Sequence, residues 1–278
     1  MNPGLYVVAT PIGNLNDITM RALTVLRGVD VIACEDTRVT GTLLHRFGIA
    51  TPMTPYHDHN AAEARPRLLA RLTAGGRAAL VSDAGTPLIS DPGYKLVRAC
   101  AEAGVPVFPV PGASAMLAAL VVAALPTDRV MFAGFLPQKT AARRASLMEL
   151  KALKATLVFY ESAQRLQETL TDLHGVLGPR PAAVCRELTK LYEEVRRGTL
   201  AELSAAYDAG GAPKGEIVIV VGGAADAAAT AEEIDAALRR ALATMTVRDA
   251  ADAIAEAFGE PRRRVYQRAL ELGKDGAA

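Results

Sequence analysis

The sequence predicts an α/β protein: two consecutive α/β domains followed by a small helical extension. Three observations carry this. Short apolar, β-branched runs alternate with stretches of helical spacing over residues 1–125. The alternation resumes after a break at Leu125-Pro126-Thr127-Asp128 and closes at Gly222-Gly223. From Ala231 onward no strand-like run occurs. In the first domain the nearly continuous apolar strands indicate a mostly parallel sheet buried on both faces. The expected divisions are 1–125, 126–223 and 224–278.

In the first domain Leu5–Thr10, Val29–Ala33, Ala79–Ser82 and Val105–Val110 read as strands. Helical spacing falls at about 17–27, 37–47, 61–75 and 91–103, with Gly28, Gly48, Gly76 and Gly104 as stop signals. The apolar run Ala113–Leu125 is too short to cross a bilayer and reads as a buried helix. Second-domain strands are expected at Val130–Ala133, Thr156–Tyr160, Ala182–Cys185 and Glu216–Val221, with helices near 140–153, 162–177 and 200–209. In the extension, Thr246-Val247-Arg248-Asp249 resembles a capping box, Gly259 ends that helix and Pro261 opens the next. Two short helices around such a turn form a helix-turn-helix-like unit. The last helix carries Arg262, Arg263, Arg264 and Arg268.

Of 278 residues, 31 are Lys or Arg and 30 Asp or Glu, so the formal charge of +1 provides no global field for a polyanion. Any such partner needs a local patch. Residues 1–128 are neutral, 129–198 carry +5 and 199–278 carry −4, so a polyanion surface would begin in the middle domain. Half the residues are hydrophobic, enough for a core; aromatics are 5% and Trp is absent. Cys34, Cys100 and Cys185 lie far apart, which fits a reducing compartment and no cysteine-based metal site. No basic segment or cleavage site precedes the first strand. A soluble, cytoplasmic protein without membrane contact is expected.

No G-x-G occurs, which excludes the usual dinucleotide fingerprint, and no Walker A pattern is present. Three other Pro/Gly loops follow strands one, three and four. They are Thr10-Pro11-Ile12-Gly13-Asn14-Leu15, Ser82-Asp83-Ala84-Gly85-Thr86-Pro87 and Pro111-Gly112-Ala113-Ser114-Ala115. At the carboxyl edge of a parallel sheet they would line a ligand cleft. Asp83 is the polar anchor expected there, whereas Asp91 reads as a cap of the next helix. Glu35-Asp36-Thr37-Arg38 begins a helix, and Arg38 could hold a phosphate. His57-Asp58-His59-Asn60 reads as a capping loop rather than a metal site. Tyr160-Glu161-Ser162, Arg186-Glu187-Leu188-Thr189-Lys190 and Lys214-Gly215-Glu216 place charge at the cleft between the domains.

Taken in order, these strings, with Leu5–Leu15, Asp17-Ile18-Thr19 and Ser82–Gly93, closely resemble the bacterial 16S ribosomal RNA cytidine-2′-O-methyltransferase family over about residues 4–222. The tail resembles that family's C-terminal helix-turn-helix extension. The resemblance implies the tetrapyrrole-methylase fold, S-adenosylmethionine in the inter-domain cleft and a homodimer. It further implies methylation of a decoding-centre cytidine ribose in 16S rRNA of the small ribosomal subunit, with no DNA partner. One departure is Pro111-Gly112-Ala113, where the family often has Pro-Gly-Pro. On this reading the cofactor residues are Pro11, Gly13, Ser82, Asp83, Gly85, Thr86, Pro87, Ser114, Ala115 and Tyr160. RNA contacts are expected from Arg38, Arg186, Arg262, Arg263, Arg264 and Arg268. Lys190, with Glu187 beside it, is the expected general base, its pKa lowered by partial desolvation. Asp58 and Glu35 are the alternatives, and no metal is expected. Two other readings compete: a methylase of this fold acting on a tetrapyrrole or other small molecule, and a non-enzymatic RNA-binding assembly factor.

Overall fold

The structure is a computed structural model and describes residues 1–211, 213–225 and 231–275. Parts of the expected extension, 226–230 and 276–278, lie outside the described residues. One compact unit spans Met1–Ala224 and contains two sheets; a second begins at Ala225.

The first sheet consists of β1 (Gly4–Val8), β2 (Val31–Cys34), β3 (Met53–Pro55), β4 (Arg77–Val81) and β5 (Val107–Val110). Its order is β3-β2-β4-β1-β5, with every neighbouring pair parallel. Alternation along the strands divides the side chains between two cores. On one face Tyr6, Val8, Ile32, Ala79 and Val81 meet Ala22 and Leu26 of α1 (Met20–Gly28) and Leu44 of α2 (Thr37–Arg46). On the other, Leu5, Ala33 and Leu80 meet Leu68 and Leu72 of α3 (Ala61–Thr73) and Leu96 of α4 (Tyr94–Glu102). Because all strands run the same way, the loops after β1, β2, β4 and β5 leave from one edge.

The second sheet contains β6 (Val130–Phe135), β7 (Thr156–Ser162), β8 (Pro181–Arg186), β9 (Glu194–Thr199) and β10 (Glu216–Val221) in the order β6-β7-β10-β8-β9. Only β6 and β7 are parallel; the other pairs are antiparallel. One face packs on α6 (Thr140–Leu150), α7 (Leu166–Leu177) and α8 (Leu200–Gly210). The opposite face is covered by α5 (Ala115–Ala123), whose Ala119, Leu120 and Ala123 meet Val158, Ala183, Val218 and Val220. This helix follows the last strand of the first sheet yet packs on the second, which joins the two lobes.

Several expectations are corrected here. Helix 17–27 divides into a 3₁₀ turn, Leu15–Asp17, and α1, because the Thr19 hydroxyl accepts from the Ala22 amide at 3.0 Å and starts a new helix. Strands β3 and β9 were not expected. The first lies beside Pro52 and the second reads Glu-Val-Arg-Arg-Gly-Thr; edge strands need no two-sided apolar pattern. Helix α5 is buried on one side only, with Leu117 54% and Val121 83% exposed. An all-apolar run conceals which face meets solvent.

The helical unit contains α9 (Ala231–Leu242), α10 (Val247–Phe258) and α11 (Arg262–Asp275) around Ile234, Leu238, Ala251, Ala255, Val265, Ala269 and Leu272. The Thr246 hydroxyl accepts from the Asp249 amide at 3.2 Å, and left-handed Gly259 (φ 64°) ends α10 as expected. No described helix is long and apolar enough to cross a membrane.

Candidate active site between the two sheets

A cavity of about 760 Å³ opens where the carboxyl edge of the first sheet faces β6, β7 and β10. The first lobe contributes Ile12, Asp83 to Thr86, Ile89 to Asp91, Ser114 and Ala115; the second contributes Phe135, Tyr160 to Gln164, Leu188, Lys214 to Val218 and others. The strand-end loops are bound to one another. Thr10 and Gly85 exchange backbone hydrogen bonds of 2.9 and 3.0 Å. The Thr10 hydroxyl donates to the Ser82 carbonyl at 3.1 Å, and the Thr86 hydroxyl to the Ala113 carbonyl at 3.1 Å. Leu88 (φ 75°) and Ser90 (φ 63°) are held in the left-handed region, a conformation that costs about 1–3 kcal/mol and gathers at functional sites.

Carboxylates collect on the first-lobe wall. Asp83 accepts from the Asp36 amide at 3.1 Å, so its side chain is fixed by the start of α2. Asp91 lines the cavity, and burial, followed by the charges of Glu35 and Asp83, pushes its carboxyl up to about 6, against a lowering hydrogen bond from Ser82. The capping role expected of Asp91 is therefore corrected: Gly93 is the N-cap of α4, with no side-chain cap bond. A Pro-Gly pair sits between Asp91 and the helix, and this carries the carboxylate past the capping position. Burial also raises Glu35, with Asp83 and Asp58 adding to it. Among the described residues no group of His, Cys, Asp or Glu is arranged to hold a metal ion.

A smaller cavity of about 370 Å³ adjoins and shares Ile12, Asp83, Ala84 and Glu216 with the first. It brings Pro11, Gly13 and Ser82 together with Lys190. Gly13 takes φ 142°, a conformation strained for any side chain, and a Cβ there would crowd the Lys190 side chain, 2.5 Å from its Cγ. The Lys190 ammonium donates to Glu187 at 2.8 Å and to Glu216 at 2.9 Å. Desolvation pulls its pKa down, but these two carboxylates outweigh it and the net shift is upward. The expected lowered lysine is thus corrected: Lys190 is held as a cation. Glu187, its pKa lowered by the Lys190 hydrogen bond and then by the Glu216 amide, is held as an anion.

Of the expected cofactor residues, Asp83, Gly85, Thr86, Ser114, Ala115 and Tyr160 line the larger cavity, and Pro11, Gly13 and Ser82 the smaller. Pro87 is buried and lines neither. Glu35 and the exposed Asp58 line neither cavity. Arg38 is exposed and pairs with Asp36 at 2.6 Å, while Arg186 is tied to Glu194 at 2.9 Å. Sequence reasoning missed Ser90, Phe135 and Gln164 on the cavity wall, whereas Glu161, expected at the cleft, lies on that wall, buried, and accepts from the Thr169 hydroxyl at 2.6 Å and the Ser162 amide at 2.7 Å. In the helical unit Arg262 pairs with Asp252, Arg264 with Glu260 at 3.1 Å, and Arg268 with Asp235 at 2.5 Å and Glu271 at 2.6 Å. Arg263 is exposed and makes no ion pair among the described residues.

The family model described as "Tetrapyrrole (Corrin/Porphyrin) Methylases" matches residues 4–204, and the one described as "RsmI C-terminal HTH domain" matches 227–273. The chain is 51% identical over 273 residues to a "Ribosomal RNA small subunit methyltransferase I" of Mesorhizobium japonicum, covering 98% of this chain and 93% of that one. It is 47% identical to the protein of the same name from Escherichia coli O157:H7, covering 96% and 94%. Among solved structures, uroporphyrin-III C-methyltransferase from Thermus thermophilus complexed with S-adenyl homocysteine matches with a TM-score of 0.56 at 18% identity, over 79% of this chain and 97% of that one. At that identity the likeness is one of fold.

Proposed function

The chain belongs to the tetrapyrrole methylase family, and on that footing we propose that it is an S-adenosylmethionine-dependent methyltransferase that acts on a cytidine ribose 2′-hydroxyl of 16S ribosomal RNA in the small subunit. The observation that carries this is the near-full-length likeness to the rRNA small subunit methyltransferases, which includes the helical extension. A small-molecule acceptor would share the fold alone, as the porphyrin enzyme does.

The walls suit the donor. Helix α5 begins at the cavity with Ser114 as N-cap and no side-chain cap bond, leaving first-turn amides for a carboxylate. Asp83 faces it as an acceptor for an ammonium or sulfonium charge, and Ile12, Leu188, Ile217 and Val218 provide an apolar bed for a flat ring. When bound, the donor supplies an already activated methyl group. The chain's work is then to orient the ribose hydroxyl, for which effective molarities reach about 10⁵–10⁸ M. Methylation of the hydroxyl would also release its proton, which would pass to water, and Lys190, as an ammonium, would serve as a cation beside the oxygen rather than as the base. Its replacement by Met lowers the single-turnover rate; a rate within about threefold of wild type, roughly 0.65 kcal/mol, removes it from the chemistry.

The deciding experiment is transfer of tritiated methyl to small subunits from a strain lacking this modification, with the modified nucleotide mapped. Methyl at a cytidine 2′-oxygen is the expected result; methyl on a base or on no RNA overturns the reading.

The helical unit is the expected RNA backbone contact. Surface pairs such as Arg264–Glu260 are worth about 0–1 kcal/mol and exchange readily for phosphate. Replacing Arg262, Arg263, Arg264 and Arg268 with Ala weakens RNA binding and flattens its salt dependence, by about one unit of slope for each phosphate no longer neutralised, while cofactor affinity stays unchanged. An unmoved slope assigns the run to solubility alone. The exposed Leu117 and Val121 border a groove of about 550 Å³ with Ala118, Val122 and Leu188 and support a homodimer; sedimentation at the mass of a single 29.2 kDa chain would refute it.

A further inference from the structure

Strand β6 contains a bulge, rare in a parallel pair. Phe132 pairs with Val158 and Gly134 with Phe159, so Ala133 has no register partner. Gly134 takes φ 64°, which only glycine adopts freely. In regular alternation Phe135 would share a face with Met131, which pairs with Leu157 of the α6–α7 core. The extra residue turns Phe135 over, so that it pairs with Tyr160 and points to the cavity side. The Phe132 and Phe135 rings both meet Tyr160 edge-on, at 4.9 and 5.6 Å between centroids. Phe135 itself is left 60% exposed on the cavity wall. In a chain with six Phe and no Trp, a bulge that keeps an aromatic face open at a cavity needs a reason.

The same bulge reaches the first lobe. A Cβ on Gly134 would lie 3.1 Å from the Ser90 hydroxyl oxygen, and Ser90 precedes Asp91. Phe135, Tyr160, Ser90 and Asp91 all line this cavity, Phe135 packs on Tyr160, and the Asp91 charge acts on the Tyr160 phenol. The groups that bear on Asp91 are the carboxyls of Glu35 and Asp83, the Ser82 hydroxyl and the Tyr160 phenol, and among the described residues no cation joins them. A carboxyl so placed has room for a donor brought by a ligand.

We propose that this part of the cavity is a pocket for the flipped-out target cytosine, its ring stacked on Phe135 and its exocyclic amino group donating to Asp91. The proposal rests on the RNA methyltransferase reading above. The base and the 2′-hydroxyl are carried on adjacent carbons of one ribose, so a hydroxyl held in the cavity brings its base to the wall beside it. Aromatic faces hold unstacked bases in RNA recognition, and a carboxylate accepts from cytosine N4 but meets only an acceptor, O4, on uracil.

The test compares wild type, Phe135→Ala, Phe135→Trp and Asp91→Asn. It measures S-adenosylmethionine affinity by calorimetry and methyl transfer to small subunits carrying cytidine or uridine at the mapped position. Phe135→Ala is expected to lower kcat/KM for subunits by about 5- to 150-fold, with Phe135→Trp near wild type. Asp91→Asn, whose amide can donate to O4, is expected to reduce the preference for cytidine over uridine by about tenfold or more. Cofactor affinity within about twofold of wild type shows that the variants fold and that the loss lies with RNA. A Phe135→Ala rate close to wild type, an unchanged cytidine preference in Asp91→Asn, or a cofactor affinity that falls with either variant overturns the pocket. If wild type binds cofactor yet methylates no small subunit, the RNA reading fails and the pocket fails with it; active wild type with indifferent variants removes the pocket alone.

Discussion

Asp172→Ala is expected to remove about 3–5 kcal/mol of stability, because it leaves a guanidinium buried without its counter-charge. Asp172 on α7 and Arg143 on α6 are 3% and 1% exposed and meet at 2.6 Å. The second Asp172 oxygen accepts from Arg144 at 2.6 Å. Arg143 otherwise donates to the Gln138 carbonyl at 3.1 Å and reaches Thr140 and Glu168 only at 3.4 and 3.5 Å. Taking both members away is a different matter, since a well-packed apolar pair can equal a buried ion pair. Arg143→Met with Asp172→Leu should therefore recover much of the loss. Urea titration of the single and double variants measures both; a loss below about 1 kcal/mol in Asp172→Ala would show that the pair is solvated. The site depends on this network. Arg143 binds Gln138, and Arg165 binds the carbonyls of Leu136 and Pro137 at 2.9 and 3.2 Å, so the chain immediately after Phe135 is anchored from two helices.

Asp83→Ala is expected to weaken S-adenosylmethionine binding about 10- to 150-fold, the equivalent of roughly 1.5–3 kcal/mol for one hydrogen bond to a charged partner. Asp83 is shared by both cavities, and its carboxylate is positioned by the Asp36 amide at 3.1 Å. The substitution also removes a negative charge that helps raise Glu35 and Asp91. Their carboxyls then titrate lower, and any step that depends on Asp91 has its midpoint below the wild-type value of about 6. Calorimetry across the pH range reads both effects. Asp83→Asn separates them, because it keeps an acceptor for the Asp36 amide while losing the charge. Wild-type affinity in Asp83→Ala would exclude Asp83 from the cofactor site.

Much of this protein was legible in its sequence because the relevant physics is local. Apolar strands such as Glu216–Val221 match the structure residue for residue, and Thr246 and Gly259 bound α10 as their side-chain chemistry requires. The strand-end loops met at one edge because consecutive parallel strands permit nothing else. Tertiary structure decided what depends on partners distant in the chain. Strand β9 exists because β8 offers it an edge, and its own residues carry no strand signal. The Asp91 carboxyl is raised by burial in the cavity and by the charges of Glu35 and Asp83, and Lys190 is a fixed cation because Glu187 and Glu216 both accept from it. Phe135 faces the cavity because one unpaired residue, Ala133, reverses the alternation that the sequence alone would extend. Backbone propensity and turn chemistry can be read from neighbours a few residues away. The charge state and direction of a side chain are set by whatever the fold brings against it, across separations that no periodicity records.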